Sequence, residues 1–280
     1  MVDDIKAKWG NKVASYENCI EEIVCNAMMS IATDENAMNK ALKVAHANEN
    51  IIDKIEQAFN NLVAKIKEYL FKFRDNKAAK IFAKDVENLK ASNKLQEEGQ
   101  VFRSEEFSKL PIVIQRYIEH CRYIGTPKMS YLKMKYHDVD FMQGKDGPVL
   151  KIDYTQYDFV SEPCRMALIS SSMFGVPFEG YDYYQNGVGG MKGVIAKGIT
   201  LFHQTGEEMD KACLVTYLAE SMFAPAILLQ DYISFEEISD YEVKATIYYA
   251  GQSASGIFTF NEQHEFVSFT TNEYHFPFVV

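Results

Sequence analysis

The sequence predicts an α+β protein: an N-terminal antiparallel helical arm or coiled-coil hairpin, followed by an antiparallel, strongly curved β-sheet crossed by one helix. Two contrasts along the chain predict it. All seven prolines fall between Pro111 and Pro277, and of the fifteen glycines only Gly10 and Gly99 precede residue 110. Such a change in turn residues marks a change in architecture. The apolar period changes in the same region, from three-and-four steps to alternation. We therefore divide the chain into a helical arm over 1–105 and an antiparallel β domain over 106–280.

Within the arm, Val13, Tyr16, Ile20, Ile23 and Ala27 define one apolar face of a helix over about 11–32. Thr33-Asp34-Glu35 then offers side-chain acceptors to the free N–H groups of a new helix start. A second helix over about 36–74 carries Ile52, Ile55, Phe59, Leu62, Ile66, Tyr69 and Phe73, with Met38, Ala41 and Ala45 extending the register backward. This heptad pattern suits a coiled-coil seam, so residues 38–73 are where a homo-oligomer would form. Ala79, Phe82, Val86 and Leu89 start a new phase, a third helix over about 77–98. The run 62–84 is basic, with Lys65, Lys67, Lys72, Arg74, Lys77, Lys80 and Lys84 against Glu68 and Asp75. Such a helix can lie on an anionic membrane. The favoured reading is a solvated lysine face on a helix packed against protein, not a peripheral membrane contact.

The second part alternates in Tyr131–Tyr136, Val149–Tyr154, Val243–Tyr248 and Gly256–Phe260, the pattern of half-buried strands. Turn residues at Gln143–Gly147, Gln185–Gly187 and Asn261–His264 separate the runs at hairpin spacing. One helix interrupts the strands over about 207–229, with Pro225 near its end or at a kink.

Composition narrows the function. With 47% hydrophobic and 24% charged residues the chain is globular. Its formal charge of −10 and pI near 5.2 oppose nucleic-acid binding, which needs a basic surface. The acidity belongs to the second part: residues 1–100 hold 15 basic against 16 acidic side chains, leaving 14 against 23 of the totals 29 and 39. No apolar run suits a membrane span, the start lacks a secretory pattern, and five cysteines without C-x-x-C spacing suit free thiols. We expect a cytoplasmic protein.

The glycine cluster Gly187–Gly193 has Lys192 where the dinucleotide fingerprint needs glycine, and Gly193–Thr200 has Ile199 where a phosphate loop needs lysine. No histidine pair has metal-helix spacing, so we expect neither metal nor cofactor. His203 is the one histidine retained as a candidate. No G-x-S-x-G elbow is present. What remains is acidic: Asp182, Asp210 and Glu220, the last two ten residues apart and so able to lie toward one side of a helix. Carboxylates in a partly apolar cleft can serve as general acid and base if burial raises one pKa.

Residues 110–274 resemble an uncharacterised bacterial family, a domain of unknown function often found behind transmembrane segments. The resemblance rests on Leu110-Pro111-x4-Arg116-Tyr117-Ile118, on Asp182-x-Tyr184-x-x-Gly187-x-Gly189, and on Tyr217-Leu218-Ala219-Glu220-x4-Pro225-x-x-Leu228. Gln156, Pro163 and Ala167 also fit it. Thr216 stands where the family shows arginine, and Phe235 where it shows tryptophan. The family pattern also continues with strands past Tyr274. The resemblance implies candidate positions, namely Gln156, Asp182, Tyr184, His203, Asp210, Tyr217 and Glu220, but no reaction. By analogy of fold alone, the strand order with one crossing helix is similar to lipoprotein-carrier half-barrels. The leading expectation is therefore a non-catalytic module holding a hydrophobic or lipid-like ligand between curved sheet and helix. The alternatives are a carboxylate-using enzyme in the same cleft, or an interaction protein assembling through the arm.

Overall fold

The computed structural model describes residues 77–93, 99–142, 149–173 and 176–273. The helices expected over 11–32 and 36–74, the 38–73 seam, most of the basic run and the 143–147 turn lie outside the described residues.

Two antiparallel meanders enclose one helix. The first sheet has strand order β1 to β6: Tyr131–Met142, Val149–Phe159, Cys164–Met173, Val176–Gln185, Val188–Ile195 and Ile199–Thr205. It is curved. The second sheet has order β10-β9-β8-β7: β7 Ile233–Ser239, β8 Glu242–Tyr249, β9 Gln252–Phe260 and β10 Phe266–Thr270. All four alternating runs read from the sequence are strands, in β1, β2, β8 and β9. Hairpin chemistry fixes two registers. Asn186 and Gly187 have φ of 54° and 79°, Ala250 and Gly251 of 51° and 80°, the positive pairs that match strand twist.

Helix α1, Lys77–Ser92, packs on β3, β4 and β5, burying Ala78, Phe82, Val86 and Leu89. These are the positions of the expected third helix, which stops short of residue 98 because Ser92 and Asn93 turn back onto the Leu89 carbonyl at 3.1 and 2.9 Å. Two short helices, α2 Ser104–Phe107 and α3 Ile112–His120, occupy a stretch read from the sequence as the start of the β domain. Pro111 caps α3, where a missing N–H costs nothing.

The crossing helix α4 spans Glu207–Glu220 and touches β3 to β6 on one side and β8 and β9 on the other. Because both sides are covered, it buries Met209, Ala212, Cys213, Leu214, Val215, Tyr217 and Leu218 rather than one stripe. It is shorter than expected. Past Glu220 the chain continues as 3-10 turns, Ser221–Phe223 and Ile227–Leu229, because Pro225 lacks an N–H and forces Ala224 out of the helical region to φ −126°, ψ 86°. Close helix–strand approach needs Gly189: a Cβ there would fall 2.7 Å from Cys213 Sγ and 2.9 Å from the Met209 carbonyl. Tyrosine hydroxyls fix the ends. Tyr217 and Tyr232 reach the carbonyls of Phe159 and Val160 at 2.6 and 2.7 Å, and Tyr117 reaches that of Met222 at 2.9 Å.

Strand alternation sorts the first sheet into two faces. Tyr157, Phe159, Cys164, Met166, Tyr181 and Val194 form a core with α1. Tyr184, Met209, Cys213, Leu214, Tyr217 and Leu218 belong to the larger core between the sheets. No described helix is long and apolar enough to cross a membrane.

Candidate functional site

Alternation also places Tyr154, Gln156 and Asp158 of β2 on the α4 side of the first sheet, and there the interior turns polar. Gln156 and Asp158 are 0% exposed and Arg165 is 3% exposed. Asp158 lies directly across from Arg165, and Gln156 from Ala167, which in turn faces Asp182. The small Ala167 leaves room over the middle strand for the guanidinium. Glu220, the last residue of α4, arrives from above.

Arg165 joins these groups. Its Nε donates to Glu220 Oε2 at 2.9 Å, its Nη1 to Asp182 Oδ2 at 2.5 Å, and its Nη2 to Gln156 Oε1 at 3.1 Å and to the Tyr154 hydroxyl. Tyr154 donates to Gln156 Oε1. The Gln156 amide then donates to both oxygens of Asp158, at 2.8 and 2.9 Å, and to Glu220 Oε2 at 2.5 Å. The fork of an arginine suits this divergence, which a lysine could not supply.

Asp182 and Glu220 thus share one guanidinium, Asp158 joins them through the Gln156 amide, and their surroundings separate the three. Among the described residues the Asp158 carboxyl makes no hydrogen bond or ion pair with the Arg165 guanidinium, although the two residues are strand partners. Complete burial, reinforced by the Glu220 charge, raises its pKa well above the usual aspartate value. Burial also raises Glu220, against the opposing pull of Arg165 and Gln156. Its place at a helix C-terminus, the negative end of the dipole, acts in the same direction. Glu220 and Asp182 keep side-chain exposures of 21%, so the cluster reaches the surface through them. Beside that opening stands Tyr136, 42% exposed, its ring 6.0 Å from that of Tyr154. Burial raises its phenol, and the charges of Glu220 and Asp158 add to the shift. A bulge between Tyr136 and Val139, with Asp138 at φ 52°, bends β1 there.

Of the sequence candidates, the structure brings together Gln156, Asp182 and Glu220. It separates the other four from them. Asp210, in the first turn of α4, accepts the Gly189 N–H at 2.6 Å, which fastens helix to strand. Tyr217 serves the Phe159 carbonyl. Tyr184 is 0% exposed and stacks edge-on against Tyr249. His203 lies on the α1 side of the sheet with its Nε2 3.0 Å from the Tyr183 hydroxyl. Arg165, Asp158, Tyr154 and Tyr136 were not singled out from the sequence. Polar alternation in β2 reads there as a solvated face, and only the strand pairing reveals that face as buried. Thr216 donates its hydroxyl to the Ala212 carbonyl at 3.0 Å. Among the described residues no three histidine, cysteine or carboxylate groups are placed to hold a metal.

Asp158 makes stability depend on pH. A carboxyl whose pKa is raised by folding stabilises fully below its unfolded value, and that stability is lost as pH rises through the folded value. The window therefore opens near the ordinary aspartate value of 3.8 and extends upward. Within it one retained proton costs at most about 1.4 kcal/mol per pH unit. Asp158→Asn is expected to flatten the profile, gaining on the native chain as pH rises from 4 towards 7. Urea unfolding across that range measures this, and parallel curves would contradict it.

The fold and site define a class: an α+β domain of two antiparallel meanders around a helix, with a buried arginine–carboxylate cluster open at one edge. A family model described as a family of unknown function, DUF6544, matches residues 100–277, and the chain belongs to that family. No curated protein and no solved structure was found to match.

Proposed function

We propose that this domain is a binding module whose curved first sheet acts as an open half-barrel. The ligand is hydrophobic or lipid-like, with a polar end that donates hydrogen bonds. The supporting observation is the adjacency at the open edge of the α4 side. Exposed Tyr136 and half-buried Met134 lie across from Tyr154 and Gln156 on the edge strand β1, and Gln156 donates to Glu220 Oε2, while Glu220 Oε1 has no hydrogen-bond partner among the described residues. Apolar ligands gain from such a surface, and the few polar groups fix their orientation. The second reading is an enzyme, favoured by the raised pair Asp158 and Glu220, which could hold and release a proton beside Arg165. Buried Cys164 and Cys213, both unpaired, suit a reducing compartment such as the cytoplasm.

Native mass spectrometry of the full chain, purified without detergent and incubated with a long-chain monoacylglycerol, tests the binding reading. We expect one ligand mass to be added, and Tyr136→Ser to lose it while keeping its circular dichroism spectrum. A clean ligand-free mass for the native chain, or equal uptake by the variant, would overturn the proposed seat.

A further inference from the structure

We propose that the α1 side of the first sheet carries a second site, for a phosphate monoester, formed by Lys90, Lys133 and the hydroxyl of Tyr157. It is separate from the Arg165 cluster, since alternate residues of β2 face opposite ways. Tyr157 is 6% exposed and belongs to the core under α1. Lys90, in the last turn of α1, places Nζ 3.4 Å from the Tyr157 hydroxyl and 4.4 Å from its ring centroid. Lys133, the cross-strand partner of Tyr157, places Nζ 5.3 Å from the same centroid. Lys90 Nζ also stands 5.0 Å from the ring centroid of Tyr131.

Two like charges therefore converge on one phenol, and among the described residues neither lies within ion-pair distance of a carboxylate. The nearby acids are engaged or turned out: Asp85 accepts from Tyr181 at 2.6 Å, and Glu87 is exposed. An aromatic face attracts an ammonium but does not cancel its charge, so the two lysines still repel. The phenol registers both: burial would raise its pKa, yet the hydrogen bonds and charges of Lys133 and Lys90 lower it overall. A group with several oxygens and about two negative charges, set between the ammoniums, removes the repulsion and offers both a stronger, charged acceptor than the phenol. Lysine binds phosphate as a point charge, without the planar match that carboxylates find in arginine. The tyrosine rings then wall one side, where the organic part of a monoester would rest. In a chain of net charge −10, a positive spot without an ion-pair partner among the described residues is local.

Titration of the full chain with inorganic phosphate and with glycerol 3-phosphate, followed through carbon-13-labelled lysine side chains, tests the site. Both probes should shift the Lys90 and Lys133 signals. Lys90→Gln and Lys133→Gln should each weaken binding on the order of tenfold, the size of one charge-assisted hydrogen bond. Lys135→Gln, further along the same strand, should change it less than about twofold. Lys133 and Lys135 are exposed, so their variants keep the fold readable by circular dichroism. Absence of binding, or affinity unchanged in Lys90→Gln and Lys133→Gln, would overturn the site. Binding of inorganic phosphate without glycerol 3-phosphate would overturn the monoester.

Discussion

Arg165→Met is expected to destabilise the domain by about 3–5 kcal/mol, the cost of leaving buried charge without its partner. Methionine keeps the apolar stem, so the loss isolates the guanidinium. That group is the only cation bonded to Asp182 and Glu220 among the described residues, and its charge also lowers the pKa of Asp158. Against a typical total of about 5–15 kcal/mol, this is a large fraction. Arg165→Lys should recover little, because one ammonium cannot reach Glu220, Asp182 and Gln156 together. The defect also has a sign in pH. Without Arg165 the pKa values of Asp158 and Glu220 rise further, so the variant should approach native stability in acid and fall behind as pH increases. Urea unfolding at pH 4 and pH 8 measures both effects, and a loss below about 1 kcal/mol, as for a surface pair, would contradict a buried cluster.

Leu218→Ala is expected to cost towards the upper end of the 2–5 kcal/mol range for large-to-small core changes. The reason is geometric. Leu218 is 0% exposed on a helix covered by one sheet on each side, so the space it vacates cannot close by a simple shift of α4. Movement towards the first sheet is stopped at Gly189, where the strand already approaches Cys213 and Met209. Leu218→Met, which keeps volume, should cost less than about 1.5 kcal/mol. Equilibrium unfolding compares the two, and a small loss for alanine would show that the helix is not clamped between the sheets.

These two residues differ in how legible they were. Leu218 sits in a run of apolar helix, and the helix was readable from Glu207 onward. Its double coverage was not, because an all-round apolar pattern weakens the periodic signal that marks a single buried face. For the same reason the sequence reading expected one crossed sheet, where the chain folds two meanders. Strands were legible wherever one face is apolar and the other wet, as in Val243–Tyr248. The hairpin at Asn186-Gly187 was legible because few residue pairs accept two positive φ values. Arg165 left no such trace. It follows Cys164 in an unremarkable strand, and its importance comes from pairing with Asp158 and from Glu220, which is 55 residues away in sequence. Glu220 and Asp182 were found as acids that could share a cleft. Asp210, chosen by the same reasoning, serves the Gly189 N–H instead, because the first helical turn and the last point to different ends of the sheet.

On the proposed function, the edge between Tyr136 and Glu220 seats an amphipathic ligand. A crystal structure of the full chain grown with the long-chain monoacylglycerol tests it most directly. The acyl chain is expected against Met134 and Tyr136, with a hydroxyl donating to Glu220 Oε1. Ligand density elsewhere on the chain, or none, would contradict it.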